Sequence, residues 1–267
     1  MLCNFEDLPD FHTQPVGRSR LTTTARGQGP AVLFVHGGFH GAWCWTPFLE
    51  FFKSHNVSVT ALDLPGHGGL TPPADFANLG VADMASEIAQ AARHLGGDII
   101  LAGHSLGALA VMAASAVVKP KALVLLAPAP PANVYGVKLL PPFPTDTPVA
   151  PPPEARARKW FLSGLNDADI TPYMARLCPE SPAFLNDLYN RNITVDTNWI
   201  QGPTLCLSGG KDDSPLHPKG QDEAVAALFA AELQTLPDAG HCLMLDDSRQ
   251  KAADLLLAWL KQNKLAA

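Results

Sequence analysis

Residues 98–107 read Asp-Ile-Ile-Leu-Ala-Gly-His-Ser-Leu-Gly. An apolar run of strand type ends in G-H-S-L-G and passes into Ala-Leu-Ala-Val-Met-Ala-Ala, a run of small apolar residues. Together they read as a buried strand that turns sharply into a buried helix, with Ser105 at the turn. A serine hydroxyl is a poor nucleophile and has to be held exposed beside a base. A tight strand-to-helix turn does this, and Gly103 and Gly107 let the flanking backbones pass closely. The competing reading is a small-residue turn that only packs a strand onto a helix.

Outward from this stretch, similar apolar runs recur at 31–35, 57–62, 122–127 and 203–208, with a weaker one at 232–236. Residues 18–24 add an antiparallel edge strand. Between the runs lie helical patterns. Residues 80–95 place Val81, Met84, Ala85, Ile88, Ala92 and Leu95 on one face, and Gly96-Gly97 ends the helix. Residues 106–118 are apolar nearly all round, as a helix buried under a sheet should be. A last helix spans about 248–262, with Leu255, Leu256, Trp259 and Leu260 inward. This alternation predicts an α/β fold: a mostly parallel central sheet flanked by helices on both faces.

One segment breaks the rhythm. Ten of the chain's 25 prolines fall between 128 and 153, including Pro151-Pro152-Pro153. Proline fixes φ and removes a backbone donor, so this is neither helix interior nor central strand. Residues 154–200 then look helical in short pieces. The reading is a core domain of residues 1–128 and 201–267 with a proline-rich, partly helical cap inserted at 129–200. A long linker is the alternative, disfavoured because long structureless loops are uncommon inside compact domains.

Composition narrows the function classes. The chain has 267 residues, 47% hydrophobic and 16% charged, with net charge −6. That is the composition of a globular protein with much buried surface. No Lys/Arg block stands out, which argues against nucleic-acid and anionic-membrane binding. No apolar run reaches the length of a membrane span. The N-terminus, Met-Leu-Cys-Asn-Phe-Glu-Asp-Leu-Pro-Asp, does not read as a secretory signal. The five cysteines (Cys3, Cys44, Cys178, Cys206 and Cys242) form no C-x-x-C, so neither a zinc site nor a disulfide framework is expected. Reduced thiols and a cytoplasmic location are the default expectation.

A serine nucleophile needs a base, an orienting acid and oxyanion donors. His241, in a loop between the last strand and the last helix, is the expected base, with an exposed surface histidine as the alternative. The acid is Asp212 or its neighbour Asp213, both following the run 203–208. The oxyanion donors are the backbone N–H groups of Leu106 and Gly38, the latter in the loop after 31–35. His36 and His40 lack the intervening Glu of H-E-x-x-H, so no metal is expected there. His104 adjoins Ser105 in sequence and reads as structural or pocket-lining, and His67 as a structural loop residue. Phe39, Trp43 and Trp160 are candidates for an apolar pocket, although Trp43 and Trp45 read equally well as packing residues. No G-x-G-x-x-G or P-loop is present, so no nucleotide cofactor is expected.

The chain resembles the α/β-hydrolase fold superfamily over nearly its whole length. The resemblance rests on H-G-G-F at 36–39, D-L-P-G-H-G at 63–68, G-H-S-L-G at 103–107, G-G-K-D at 209–212 and G-H at 240–241. The order Ser105, Asp212, His241 matches the order of nucleophile, acid and base in that fold. The resemblance favours Asp212 over Asp213 and puts Gly38 and Leu106 at the oxyanion positions. H-G-G-F-H-G-A-W-C-W at 36–45 is similar to the small esterase and hydroxynitrile lyase-like branch. The function expected is a cofactor-free serine hydrolase. It would cleave a small, largely apolar carboxylic ester, thioester or lactone through an acyl-enzyme on Ser105. The rivals are a lyase-type or other non-hydrolytic reaction on the same site, and a ligand receptor with a vestigial triad.

Overall fold

The structure, a computed structural model, describes residues 10–24, 27–134, 139–212, 214 and 217–267. Among the described residues eight strands form one sheet: β1 (His12–Val16), β2 (Ser19–Thr23), β3 (Gln28–Val35), β4 (Val57–Asp63), β5 (Ile99–His104), β6 (Ala122–Leu126), β7 (Thr204–Gly209) and β8 (Glu232–Leu236). Their order is β1-β2-β4-β3-β5-β6-β7-β8. The β1–β2 and β2–β4 pairings are antiparallel, and every pairing from β4 through β8 is parallel.

Residue alternation along the central strands builds two cores. On β3, Val32 and Phe34 point to one face, while Leu33 and Val35 point to the other. On β5, Ile100 and Ala102 oppose Ile99 and Leu101 in the same way. A strand buried on both faces must therefore be apolar at every position, which is why these runs carry no polar alternation. The first face is covered by α1 (Thr46–Ser54) and α8 (Arg249–Gln262), the second by α2 (Val81–Leu95), α3 (Leu106–Val118) and α7 (Gln221–Leu228). Beneath α1, Phe34 stacks on Trp45 with ring centroids 4.7 Å apart, and Phe48 and Phe52 close the cluster.

Two elements go beyond the sequence reading. Strand β1 carries the polar-rich sequence His-Thr-Gln-Pro-Val, which has no apolar alternation to mark it. It is an edge strand, where Pro15 costs no ladder bond on its open side. Helix α7 is short and alanine-rich, with only Gln221, Val225 and Ala226 buried, so its apolar periodicity is weak.

The chain leaves the sheet after β6 and returns at β7. In between come α4 (Glu154–Trp160), α5 (Asp167–Met174) and α6 (Pro182–Tyr189). The segment is tied to itself by an antiparallel bridge between Val149 and Glu180. Between β3 and β5 the winding direction reverses, since the chain runs from β3 out to β4 and back past β3 to β5. The carboxyl ends of strands at such a switch point flank a crevice, the usual binding position in an open α/β sheet.

Candidate active site

Ser105 sits between β5 and α3 with φ 51° and ψ −121°, a left-handed conformation costly for any residue with a Cβ. The flanking glycines explain how the turn is possible. A Cβ on Gly107 would lie 2.1 Å from the His36 carbonyl oxygen, and one on Gly103 would lie 2.7 Å from Ala108 Cα. Backbone occupies both places, so no side chain fits there. The turn is held by the Ser105 N–H, which donates to Leu126 O at 3.0 Å, and by Ser105 O, which accepts from Ala129 N at 3.0 Å. The acceptor is the last residue of β6, and the donor lies three residues beyond it.

The loop after β3 approaches from the other side of the switch point. His36 donates from Nδ1 to Gly37 O (2.8 Å) and accepts at Nε2 from the Leu64 N–H (3.2 Å). These two bonds assign its tautomer, and burial holds its pKa well below the usual imidazole value. Phe39, at φ 65°, donates its N–H to Glu180 Oε2 at 3.0 Å, and His40 N–H is directed to Gly37 O. The Gly38 N–H has no acceptor among the described residues. Leu106 is the first residue of α3, so its N–H has no intrahelical acceptor either. Gly38 and Leu106 both line the cavity that Ser105 lines.

His241 reaches that cavity from the loop after β8. Its Nδ1 donates to Asp212 Oδ2 at 2.6 Å, with both side chains 3% exposed or less. Asp212 follows β7 and also accepts the Ser214 N–H at 3.2 Å. Burial raises the Asp212 pKa, but the neighbouring His241 and His217 and these hydrogen bonds outweigh it and hold the carboxyl below its usual value. An ionised Asp212 fixes the Nδ1–H tautomer and leaves the lone pair of the imidazole on Nε2. Asp213, the other acid considered, lies outside the described residues. Ser105 Oγ makes no side-chain hydrogen bond among the described residues. Hydroxyl and imidazole share the cavity wall without touching through a hydrogen bond, as apo sites frequently do before substrate tightens them.

The cavity encloses about 670 Å³, part of it open to solvent, and its wall is mostly apolar. Phe39 and Trp160 line it, together with Phe143, Phe161, Leu185 and Tyr189. Trp43 is not part of this wall. It packs flat on His40 (5.6 Å between centroids), edge-on to Tyr173 and under the Arg176 guanidinium, which is the packing role that an early-helix tryptophan equally suggested. His104 lies against His241, ring centroids 4.7 Å apart, and donates from Nε2 to the His241 carbonyl at 3.0 Å. Burial holds His104 well below the usual pKa, so it is a neutral brace for the loop that carries His241. Phe161 covers the other side of the His241 ring at 5.5 Å.

Three polar residues at the site escaped the sequence reading. His217 lies beside Asp212 and Asp222, its Nδ1 3.9 Å and 3.5 Å from their carboxylate oxygens. Burial lowers its pKa, yet the two carboxylates more than compensate and raise it. Glu180 is fully buried and takes His67 Nε2 at 3.0 Å as well as the Phe39 N–H. Tyr173 donates its hydroxyl to His40 Nε2 at 2.7 Å, while His40 Nδ1 donates to Gly38 O. Burial pushes His40 down to about 4 and keeps it neutral. Asp212, His217 and His241 also bring ligand-type atoms within 4.8 Å of one another. The His241–Asp212 hydrogen bond already satisfies two of the three, and a cation there would have to break it.

Residues 32–255 match the profile of the Alpha/beta hydrolase family. The chain belongs to the α/β-hydrolase family. Over 127 residues it is 33% identical to protein phosphatase methylesterase 1 of Bos taurus, covering 45% of this chain and 33% of the relative. Over 84 residues it is 37% identical to methyl jasmonate esterase 1 of Vitis vinifera, covering 31% of this chain and 32% of the relative. The matches thus span about a third of the length of these curated relatives. A solved methylesterase from Arabidopsis superposes with a TM-score of 0.72 at 19% identity, over 87% of this chain and 99% of that one, a likeness of fold.

Proposed function

We propose that this α/β hydrolase is a serine esterase that cleaves a small, largely apolar carboxylic ester, thioester or lactone. The observation that carries the reading is the 2.6 Å hydrogen bond from His241 Nδ1 to Asp212, in the wall of a cavity that Ser105 also lines. The resemblance in part of the chain to enzymes named as methylesterases supports the same reaction class. His241 Nε2 takes the Ser105 proton as Oγ attacks the substrate carbonyl. The Gly38 and Leu106 N–H groups receive the developing oxyanion, a donor of this kind stabilising the transition state by roughly 3–4 kcal/mol. The alcohol leaves with the proton from His241, and a water deprotonated by His241 then releases the acid. Asp212 holds the tautomer and stabilises the imidazolium. The segment between β6 and β7 acts as a cap: it supplies Phe143, Trp160, Phe161 and Tyr189 to the cavity and shields part of it from water.

A p-nitrophenyl ester series of rising chain length tests this. A burst of p-nitrophenol stoichiometric with enzyme, absent in Ser105→Ala, is the expected result. Equal turnover in Ser105→Ala would refute the acyl-enzyme.

A further inference from the structure

The cap helix α4 carries two arginines two positions apart, Arg156 and Arg158, which a helix points about 200° from one another. Their surroundings differ. Arg158 is fastened on both sides by carboxylates, Nε to Glu154 Oε1 at 2.8 Å and Nη1 to Asp167 Oδ1 at 2.6 Å. Arg156 has no acidic partner among the described residues. Its guanidinium lies over the Trp160 ring, 5.1 Å from the centroid, and both residues line the cavity that holds Ser105. Arg156 is otherwise exposed, and the cation–π contact draws its guanidinium to the indole at the cavity wall while none of its N–H groups is engaged by a carboxylate among the described residues.

Among the described residues the cavity wall contains no Asp or Glu, and Arg156 is its one Lys or Arg side chain. Tyr189 lines the same cavity, and the field of Arg156 acts on its phenol, opposing the rise that burial causes. A guanidinium and a phenol hydroxyl on the wall of one mostly apolar cavity are donors suited to a carboxylate.

We propose that Arg156 is a specificity-determining residue that selects esters bearing a free carboxylate, such as half-esters of dicarboxylic acids, over neutral esters of the same length. The proposal rests on the esterase reading above and names the substrate class for it. The apolar wall takes the carbon chain, and the Arg156 guanidinium, assisted by the Tyr189 hydroxyl, takes the distal carboxylate by charge-assisted hydrogen bonds.

The test compares p-nitrophenyl hydrogen glutarate with p-nitrophenyl valerate, and monomethyl with dimethyl glutarate, in the wild type, Arg156→Gln, Arg156→Lys and Arg158→Gln. The wild type is expected to prefer the carboxylated ester in kcat/KM. Arg156→Gln should lower that preference about tenfold, mainly through KM, and Arg156→Lys should recover part of it. Arg158→Gln should leave the preference as in the wild type. Glutarate binding to Ser105→Ala, followed by tryptophan fluorescence, reads the site without turnover and should weaken when Arg156→Gln is added. A wild-type enzyme indifferent to the carboxylate, or a preference that survives Arg156→Gln, overturns the proposal. Failure to hydrolyse any of the four esters would instead overturn the esterase reading, with glutarate binding still judging Arg156.

Discussion

Two of the buried histidine–carboxylate pairs among the described residues, His241–Asp212 and His67–Glu180, differ in where their hydrogen bonds lead. His241 and Asp212 join the loops after β8 and β7, and the imidazole borders a solvent-connected cavity. His67 and Glu180 join the loop after β4 to the segment between β6 and β7, and both side chains are sealed from solvent at 0% exposure. In the first pair one ring nitrogen is tied down and the other keeps its lone pair, the arrangement of a base. In the second, Nε2 meets Glu180 and Nδ1 donates to Pro65 O, so both nitrogens are committed. Glu180 also receives the Phe39 and Ser181 N–H groups. An imidazole and a carboxylate thus form the proposed proton shuttle in one place and a clamp in the other. The clamp borders the proposed oxyanion loop, because the Phe39 N–H that Glu180 anchors directly follows Gly38.

Variants at each pair should separate these roles. The largest effect is expected in Asp212→Asn, with kcat for a p-nitrophenyl ester falling by roughly 10⁴-fold through loss of the tautomer. Thermal melting should show the fold retained. A fall of less than tenfold would remove Asp212 from the proposed mechanism. Glu180→Gln should behave in the reverse sense, costing about 3 kcal/mol in urea unfolding because His67 loses its buried counter-charge. Its activity loss should be smaller than that of Asp212→Asn and follow the misplacement of the oxyanion loop. If Glu180→Gln melted like the wild type, the clamp would be disproved.

The pH dependence sharpens the contrast. Burial disfavours the charged form of His67, but the Glu180 charge and hydrogen bond more than offset this and raise its pKa. A raised histidine contributes stability that is fully present below its unfolded value of about 6.5 and is lost as pH rises through the folded value. The stability gap between the wild type and His67→Gln should therefore narrow from pH 6 toward pH 9. Asp212 runs oppositely: its pKa is lowered, so its contribution is present above about pH 3.9 and disappears as pH falls. Denaturant titrations of both variants across pH would expose a wrong sign in either. The smallest effect belongs to Trp43→Phe, which should cost under about 1.5 kcal/mol and leave the chain-length preference as in the wild type. Trp160→Ala should alter that preference. An equal shift from both substitutions would put Trp43 in the cavity after all.

Much of the architecture was legible in the sequence because it is written in short-range patterns. The apolar runs of β3, β5 and β6 are continuous because both faces of these strands are covered. The turn at Ser105 is announced by glycines that backbone contacts require, with the Gly107 position closed by His36 O. His241 and Asp212 could be nominated because each follows a strand at the edge where loops converge. Strand β1 and helix α7 were missed for the complementary reason: an exposed edge strand and a short alanine-rich helix need little apolar periodicity to exist.

What the sequence by itself determined is the succession of the central strands and most of the helices that cover them, the sharp turn at Ser105 and the chain order of the candidate residues Ser105, Asp212 and His241. Each depends on residues within a few positions of one another or on burial demanded by one sheet. Only the tertiary structure decided which histidine stands beside Asp212 in addition to His241, which carboxylate clamps Phe39, and which arginine of α4 lines the cavity. Glu180 meets Phe39 across 141 positions and His67 across 113. Arg156 and Arg158 are chemically identical until their neighbours are known. Partnerships of this kind carry no local signature, because a buried charge is satisfied by whatever group the folded chain brings to it.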